Sequence, residues 1–473
     1  MRAAVLADVP ARDQAMSPIE LLKQHLPGAC RFYREYGRLT FSQLSRLLAG
    51  PVPHRDPSPV LRSSLGRRAA AAGAWFETAR RVAEAASAQT ASHHGFDCHP
   101  ETVQGSLIFG LDSLRAGSSS PVLVLASGNV PLGNSLGVGG LVFGRREAGN
   151  RRPRLNLFPR SSDDLAAAAA PPLTWSNLET AWGRLADLSL NPLEMKAARR
   201  AFEEFFFSED FPAGPDFLSQ AAWFNQRLWA ARCAGGPELV FLELEAVARD
   251  CLKADLAEPD SPVYRLLFDP RIRGKILTRL AGAPACWSAG RLGTSVSRGE
   301  RGTVFFWRLN RRGRARALNL SASGRLTGPE TNLPLEPEAI GADLESGRLR
   351  PGLFLTFLTL AAHGLRVHGG VYMIDYHPPL LAEAESLLET PLGASAPALL
   401  GAGPLPLGPA GALELLASSP LPPDFWSALA ESRLAESWPL TARQWFLEEK
   451  LGSESVWPPS EQPEAPAWAG GRS

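Results

Sequence analysis

Six of the eight histidines of this chain lie in two short segments that are far apart in the sequence. Residues 92–101 read SHHGFDCHPE and include His93, His94 and His99; residues 363–379 read HGLRVHGGVYMIDYHPP and include His363, His368 and His377. Imidazole and carboxylate groups suit acid–base catalysis near neutral pH, and both can bind metal ions. Two such clusters from distant segments predict an active site assembled on one sheet.

In the second segment, the stretch from Val371 to His377 alternates in the way that is typical of a β-strand. On a strand, Asp375 and His377 point to the same face and can reach one site. The alternative is a structural role, because a histidine such as His363 at the end of a buried helix can cap the last carbonyl groups. The chain has no H-x-x-x-H pair or similar spacing that would favour a metal site.

The first segment predicts a loop followed by a helix from about Glu101, with Pro100 in the first turn, where a missing amide hydrogen costs nothing. The histidines would then lie beside the unpaired amides of a helix N-terminus, which favour an anion. We therefore expect His94 and Asp375 to share one cleft, with their Cβ atoms within roughly 12 Å, a span that a small ligand can bridge.

The run PVLVLASGNVP at residues 121–131 predicts a strand buried on both faces that ends in a polar, glycine-rich loop. Open α/β sheets bind ligands at the carboxyl ends of their strands, so Ser127 and Asn129 are candidate substrate-binding residues. The loop matches neither G-x-G-x-x-G nor the phosphate-binding G-x-x-x-x-G-K-[ST] pattern. A nucleotide and a divalent metal are both open as cofactors, and the cofactor is otherwise unknown.

Three blocks in this order, SHHG…QGSL, PVLVLASGN and LRP…HGGVYMIDYH, resemble the cysteine-adding ligases of bacillithiol biosynthesis. That family resembles nucleotide-binding ligases of the Rossmann type, so the resemblance implies such a core and ligase chemistry. In place of the acidic and histidine residues of the family's second block, this chain has GNVP. The positions that match the family's pattern are His93, His94, Gly95, Gly105, Ser127, Arg350, Pro351, Gly369, Gly370 and Tyr376.

The order of predicted elements indicates an α/β fold. Helical spacing from Met16 to about Gln89 precedes an alternation of strands and helices, in which RLNLFPR and ELVFLE are further strands. The segment TVFFWRLNRRGRARALNL predicts an antiparallel hairpin with an exposed basic tip. We expect a Rossmann-like open, mainly parallel sheet with an N-terminal helical section and an antiparallel hairpin insertion. The expected units are a helical section (1–90), an α/β catalytic core (91–395) and a Gly/Pro-rich extension with a disordered tail (396–473).

Composition sets limits on partners and location. The 473 residues carry a formal net charge of +1, so nothing in the overall charge favours nucleic acid or a membrane as partner. Five cysteines without a C-x-x-C pair argue against a zinc knuckle and a disulfide framework, and Cys286 is at most a weak candidate nucleophile. The first residues lack the apolar core of a signal peptide, which predicts a cytoplasmic protein. The oligomeric state is unknown.

These observations favour an enzyme of small-molecule biosynthesis, of ligase or transferase type, that joins an amine to an activated carboxyl group of a small anionic metabolite. His94 or His99 would act in acid–base catalysis, with Asp375 and His377 opposite, and Arg350 would hold a carboxylate or phosphate. The remaining substrate-binding candidates are His93, Ser127, Asn129, Gly369, Gly370 and Tyr376. Two alternatives are a metal-dependent hydrolase that uses the same histidines and a non-catalytic binding or assembly protein.

Overall fold

The computed structural model describes residues 27–49, 56–90, 92–96, 100–115, 120–134, 137–143, 153–211, 214–280, 283, 286, 303–321, 323–370, 373–392, 420–421 and 424–433. The helices are α1 (Pro27–Tyr36), α2 (Phe41–Ala49), α3 (Pro59–Ala71), α4 (Phe76–Ala83), α5 (Pro100–Arg115), α6 (Trp175–Arg184), α7 (Pro192–Ala201), α8 (Phe217–Arg232), α9 (Leu244–Asp255), α10 (Pro262–Phe268), α11 (Pro270–Arg279), α12 (Pro337–Glu345), α13 (Leu353–Ala362), α14 (Met373–Leu388) and α15 (Phe425–Glu431). The strands are β1 (Ser87–Gln89), β2 (Val122–Ala126), β3 (Gly140–Val142), β4 (Arg154–Asn156), β5 (Leu239–Glu243), β6 (Phe306–Leu309), β7 (Ala315–Ala317), β8 (Asn319–Leu320), β9 (Arg325–Gly328), β10 (Thr331–Pro334), β11 (Leu349–Pro351) and β12 (Arg366–His368).

A four-stranded parallel sheet in the order β12-β1-β2-β5 organises the part of the chain that positions the site. All five residues of β2 are buried, which confirms the strand predicted from the run VLVLA. Val122 and Val124 belong to a core shared with α5 and α8, whereas Leu123 and Leu125 belong to a core shared with α3, α9 and α13. Helices therefore cover both faces of the sheet, and the expected mixed α/β fold with a parallel sheet is confirmed.

The remaining described strands form antiparallel sheets, β11-β6-β7, β10-β9-β8 and β3-β4. The sheets are therefore less parallel than the sequence predicted, and RLNLFPR is not a strand of the central sheet. Its strand β4 pairs with β3, with Leu141 opposite Leu155. Only residues 143–153 connect the two strands, whereas a parallel pair needs a crossover of a dozen or more residues, usually with a helix.

The basic hairpin was predicted correctly. Strands β6 and β7 pair in antiparallel register, with Leu309 opposite Ala315. Gly313 takes φ +72° in the turn, a conformation that glycine adopts without steric cost. Arg311 and Arg312 at the tip are exposed.

The predicted strand over Val371–His377 is wrong. The strand in this region is β12, which ends at His368, and helix α14 begins at Met373. The buried residues of α14 recur mainly at spacings of three and four, which is the pattern of a helix with one buried face. This face packs against α11 and α13. The short alternation of residue types that suggested a strand has less influence than this packing. They are Met373, His377, Leu380, Leu381, Ala384 and Leu388.

The N-terminal helices contribute directly to the core around the sheet. Leu44 and Leu48 of α2 share a hydrophobic cluster with α5, and Leu61 and Leu65 of α3 share one with α9. The described residues before Ser87 are mainly helical, but the helical spacing predicted up to about Gln89 is wrong at its end, where Ser87–Gln89 form strand β1 of the parallel sheet. None of the helices in the described ranges is long and apolar enough to cross a membrane. The tail that was predicted to be disordered lies outside the described residues.

Candidate functional site

The first histidine segment follows β1, and the second segment contains the neighbouring strand β12. Strands β1 and β12 pair in parallel, with Gln89 opposite His368, and the Thr90 amide donates to the His368 carbonyl oxygen at 2.6 Å. Strands β2 and β5 are added in chain order on one side of β1, and the last strand, β12, pairs with β1 on its other side. Open α/β sheets bind ligands at the carboxyl ends of their strands, at the position where the strand order reverses. The first histidine segment enters this edge of the sheet.

His93 and His94 lie beside the polar loop that follows β2. His93 forms a parallel bridge with Ser127, and the His94 amide donates to the Ser127 carbonyl oxygen at 2.9 Å. The Asn134 side-chain amide lies 2.7 Å from Nδ1 of His93. The chain after β1 therefore runs beside the loop that follows β2, which was predicted to bind substrate. This path places His94 beside the carboxyl ends of β2 and β5.

The His94 ring is buried and oriented by two contacts. Its Nε2 lies 3.1 Å from the carbonyl oxygen of Leu218, and its ring packs edge-on against Phe241 with the centroids 5.2 Å apart. Since a carbonyl oxygen only accepts, Nε2 carries the proton and Nδ1 presents a lone pair. Nδ1 has no hydrogen-bond partner among the described residues. Burial lowers the pKa of His94 to about 4, so the ring is neutral at pH 7.

Two glutamates and an arginine form an ion cluster at the same edge. Glu243 ends β5, Glu245 lies in the first turn of α9, and Arg350 reaches them from β11. The Arg350 guanidinium donates to Glu243 and to the side-chain oxygen of Asn129, and its Nη2 lies 3.7 Å from Oε2 of Glu245. Asn129 donates in turn to the Pro351 carbonyl oxygen at 3.0 Å. The guanidinium that was predicted to hold a substrate anion thus holds a carboxylate of its own chain.

The pKa values of the two glutamates move in opposite directions. Burial alone would raise the pKa of Glu243, but the charge and hydrogen bond of Arg350 bring it below its usual value. Burial raises the pKa of Glu245; the Arg350 charge opposes this, while the Glu243 charge adds to it. The Glu243 side chain is 19% exposed and that of Glu245 is 3% exposed. The more exposed carboxylate is therefore the one that stays ionised.

The loop after β2 binds Glu245 through its backbone and a hydroxyl group. Ser127 Oγ donates to one carboxylate oxygen of Glu245 at 2.5 Å, and the Gly128 amide donates to the other at 2.8 Å. A Cβ atom on Gly128 would lie 3.0 Å from Oε1 of Glu243 and 3.2 Å from Cβ of Ala168. Only glycine fits this approach without displacing a neighbour, so the loop and the ion cluster form one packed unit. Ser127 and Asn129 are partly exposed at its rim.

The other predicted site residues have different surroundings. The His377 ring is buried on α14, 4.7 Å edge-on from Phe357, and burial lowers its pKa to about 3. Neither of its ring nitrogens has a partner among the described residues. Gly369 and Gly370 follow β12, and a Cβ on Gly369 would clash with Met373. Tyr376 packs between two hydrophobic clusters, and burial raises its pKa.

His99 and the side chain of Asp375 lie outside the described residues, so the expected approach of His94 and Asp375 stays a prediction. Because Asp375 is on α14 and not on a strand, it does not share a strand face with His377.

Two histidines of the second segment have structural partners. His363 at the end of α13 contacts Ser58 Oγ at 2.6 Å and Asp255 at 3.2 Å, and it links three elements of the core. His368 contacts the Leu48 carbonyl oxygen at 2.7 Å. The structural interpretation of these two residues therefore fits their contacts.

The described residues provide neither a metal site nor an activated thiol. No group of three or more His, Cys, Asp or Glu residues is placed to hold a metal ion within the described ranges. Cys286 is buried, and burial raises the pKa of its thiol to about 12. Since the thiolate is the nucleophile, the weak candidacy of Cys286 is not supported.

Neither a model of a known protein family nor a curated protein sequence matches this chain. The resemblance to the cysteine-adding ligases of bacillithiol biosynthesis therefore stays a prediction.

Sequence reasoning missed Glu243 and Glu245. The signal was present in ELVFLELEAVARD, where two carboxylates stand at the point where a buried strand passes into a helix. Polar residues at the carboxyl end of an apolar strand lie where α/β sheets bind ligands. The partner Arg350, more than a hundred residues later, could be connected to them only by the fold.

Proposed function

We propose that this chain is a small-molecule enzyme of ligase or transferase type, with a Rossmann-like core and an active site at the carboxyl edge of the parallel sheet. It would join an amine to an activated carboxyl group of a small anionic metabolite. The observation that carries this proposal is the pair Glu243 and Glu245 around Arg350, whose pKa values are driven apart. Two carboxyl groups separated in this way are a common arrangement of an acid and a base in one site.

In the proposed reaction, a neutral amine attacks the activated carbonyl carbon, a C–N bond forms, and the leaving group departs with its electron pair. The amine nitrogen gives up one proton. Glu243 is ionised and partly exposed, so it is placed to accept that proton. Its negative charge also favours an ammonium group as it enters. Glu245 is the acid of the pair, because burial raises its pKa in spite of the Arg350 charge and the hydrogen bonds that Ser127 and Gly128 donate to it.

Other side chains of the edge would orient the substrate. His93 and Asn129 lie on the partly exposed rim and offer polar contacts. The resemblance of the sequence blocks to a ligase family agrees with this chemistry. The hydrolase alternative has less support, since no metal-binding group is assembled by the described residues.

A ligand panel with matched variants tests the proposal. Amino acids, small carboxylates and adenine nucleotides with Mg²⁺ are added singly and in pairs, and the melting temperature is measured. A ligand that binds only the folded state must raise it. Pairs that stabilise the protein are then incubated and examined by mass spectrometry for an amide with the mass of the pair minus water.

The expected result is a stabilising amine, a condensed product, and loss of both with Glu243→Gln. Glu203→Gln, which changes an exposed carboxylate outside the site, should behave as wild type. No stabilisation by any member of the panel, or equal stabilisation of Glu243→Gln, would instead support a purely structural ion cluster.

A further inference from the structure

A concave site lies on the surface between α3 and α9. Its volume is about 540 Å³, within the range of clefts that hold small molecules. Six charged side chains line it: Arg67, Arg68, Arg249, Lys253, Asp250 and Glu345. Four are positive and two are negative, which leaves two uncompensated positive charges. We refer to this site as the α3–α9 cleft.

The two carboxylates of the cleft are already engaged. Arg68 holds both oxygens of Asp250, at 2.8 and 3.0 Å, and Ser64 donates to the same carboxylate at 2.7 Å. Burial would raise the pKa of Asp250, but these hydrogen bonds and the Arg68 charge lower it. Glu345 is paired with Lys253. Asp250 therefore acts mainly as the anchor of Arg68.

Arg249 differs from the other cations of the cleft. Its guanidinium makes no hydrogen bond or close ion pair in the described part of the chain, although its charge helps to lower the pKa values of Glu243, Asp250 and Glu345. It is partly exposed and lies one helical turn before Lys253, so the two project from the same face of α9. Arg67 on the facing helix is 68% exposed and lies 3.3 Å from Asp250, which is already held by Arg68. Two guanidinium groups from two helices thus face one cleft with their hydrogen-bonding capacity largely unused.

We propose that the α3–α9 cleft binds the phosphate group of a small phosphorylated molecule. Guanidinium groups bind phosphate oxygens through paired N–H donors, and a phosphate dianion would match the two excess positive charges. Arg249 and Arg67 contact the phosphate, and Lys253 adds to the positive field. The cleft shares no lining residue with the ion cluster of Glu243, Glu245 and Arg350, although the Arg249 charge acts on Glu243. The proposal does not depend on the function proposed for the edge of the sheet.

Titration calorimetry with inorganic phosphate and with pyrophosphate tests this site, with sodium chloride of equal ionic strength as the control for screening. The test variants are Arg249→Gln and the double variant Arg249→Gln, Arg67→Gln. Neither residue anchors the fold through a buried ion pair, so both variants should remain folded, which circular dichroism verifies. The matched control is Arg311→Gln, Arg312→Gln, which removes two exposed arginines from the β6–β7 turn.

We expect wild type and the hairpin control to bind pyrophosphate equally, and the double cleft variant to bind it about tenfold more weakly or worse, as expected for lost hydrogen bonds to a charged group. Glu243→Gln should not weaken the binding, because Glu243 does not line the cleft and the substitution removes a negative charge that attracts Arg249. The proposal is overturned if wild type shows no binding beyond the chloride control, or if the double cleft variant binds as tightly as wild type.

Discussion

Arg350 reaches the carboxylates at the start of α9 from β11, whereas Arg249 lies in the middle of α9, and the surroundings of the two arginines differ. Arg350 is 6% exposed and is held between two carboxylates and an amide. Arg249 is partly exposed and has no ion-pair partner within the described ranges. A buried charge must be compensated by its own chain, because an unpaired ion in a low-dielectric interior is very costly. Only the exposed arginine therefore has its charge available for a ligand, whereas the buried one sets the ionisation of Glu243 and Glu245.

The largest effect is expected from Arg350→Met. The substitution leaves Glu243, whose side chain is 19% exposed, and the buried Glu245 without their counterion. Breaking a buried pair by removing one partner costs about 3–5 kcal/mol, and we expect a loss near the lower end of this range. Denaturant unfolding would measure the loss against Arg249→Met, which removes a charge with no ion-pair partner and should change stability by less than about 0.5 kcal/mol. Similar losses in the two variants would remove the distinction between the two arginines.

The buried histidines predict a strong dependence of stability on pH. Folding lowers the pKa from 6.5 to about 4 for His94 and to about 3 for His377. Below pH 6.5 the unfolded chain therefore binds protons that the folded chain does not, so this stability is present above pH 6.5 and is lost as the pH falls. At pH 5 the loss is about 2 kcal/mol for each histidine.

Comparison with His377→Phe isolates the contribution of one ring. Glu245, whose pKa is raised, acts in the opposite direction over part of this range, since its contribution is lost as the pH rises. That contribution is common to wild type and variant. Urea unfolding at pH 7 and pH 5 should show a smaller pH effect for the variant by about 2 kcal/mol. Equal pH effects would mean that the folded protein protonates His377 as readily as the unfolded chain does.

A smaller loss is expected from Gly128→Ala, which tests the packing of the loop against the ion cluster. The added methyl group meets Glu243 and Ala168, and overpacking of this kind costs about 1–3 kcal/mol. Gly183→Ala is the matched control, since a Cβ at this helical position meets nothing within 4 Å and should stabilise α6 slightly. Thermal unfolding of both variants gives the comparison, and an unchanged Gly128→Ala protein would show that the loop adjusts freely.

The smallest effect is expected from the two exposed arginines of the β6–β7 turn. Arg311→Ser combined with Arg312→Ser should leave the free energy of unfolding within about 0.5 kcal/mol, as at ordinary surface positions. Chemical denaturation measures this. If the variant lost the binding of a ligand, the hairpin arginines would regain a functional interpretation.

Elements with one dominant local signal could be predicted from the sequence. Such signals predicted strand β2 from its apolar run, strand β5 from the residues before α9, and the hairpin of β6 and β7. The helix α5 begins at Pro100, as its position after the histidine loop suggested. The first part of helix α14 was mistaken for a strand because a few alternating residues resemble one, and only the full length of the helix shows the helical spacing.

The candidate site was harder to predict because its charges come from distant segments. His93, His94, Ser127, Asn129 and Arg350 were identified, and all five lie along the same edge of the sheet. Their partners Glu243 and Glu245 were missed, so the role of Arg350 was assigned to a substrate anion and not to its own chain. Which charges compensate one another is a property of tertiary packing, and no local pattern encodes it.

The opposite ionisation of Glu243 and Glu245 is the central claim, and carbon-13 NMR of labelled glutamate carboxyl groups tests it most directly. Signals are assigned with Glu243→Gln and Glu245→Gln and followed as the pH is varied. We predict that Glu243 titrates below its usual 4.5 and Glu245 above it. If both carboxyl groups titrate below 4.5, the cluster is a structural ion network, and the acid–base pair on which the proposed function depends does not exist.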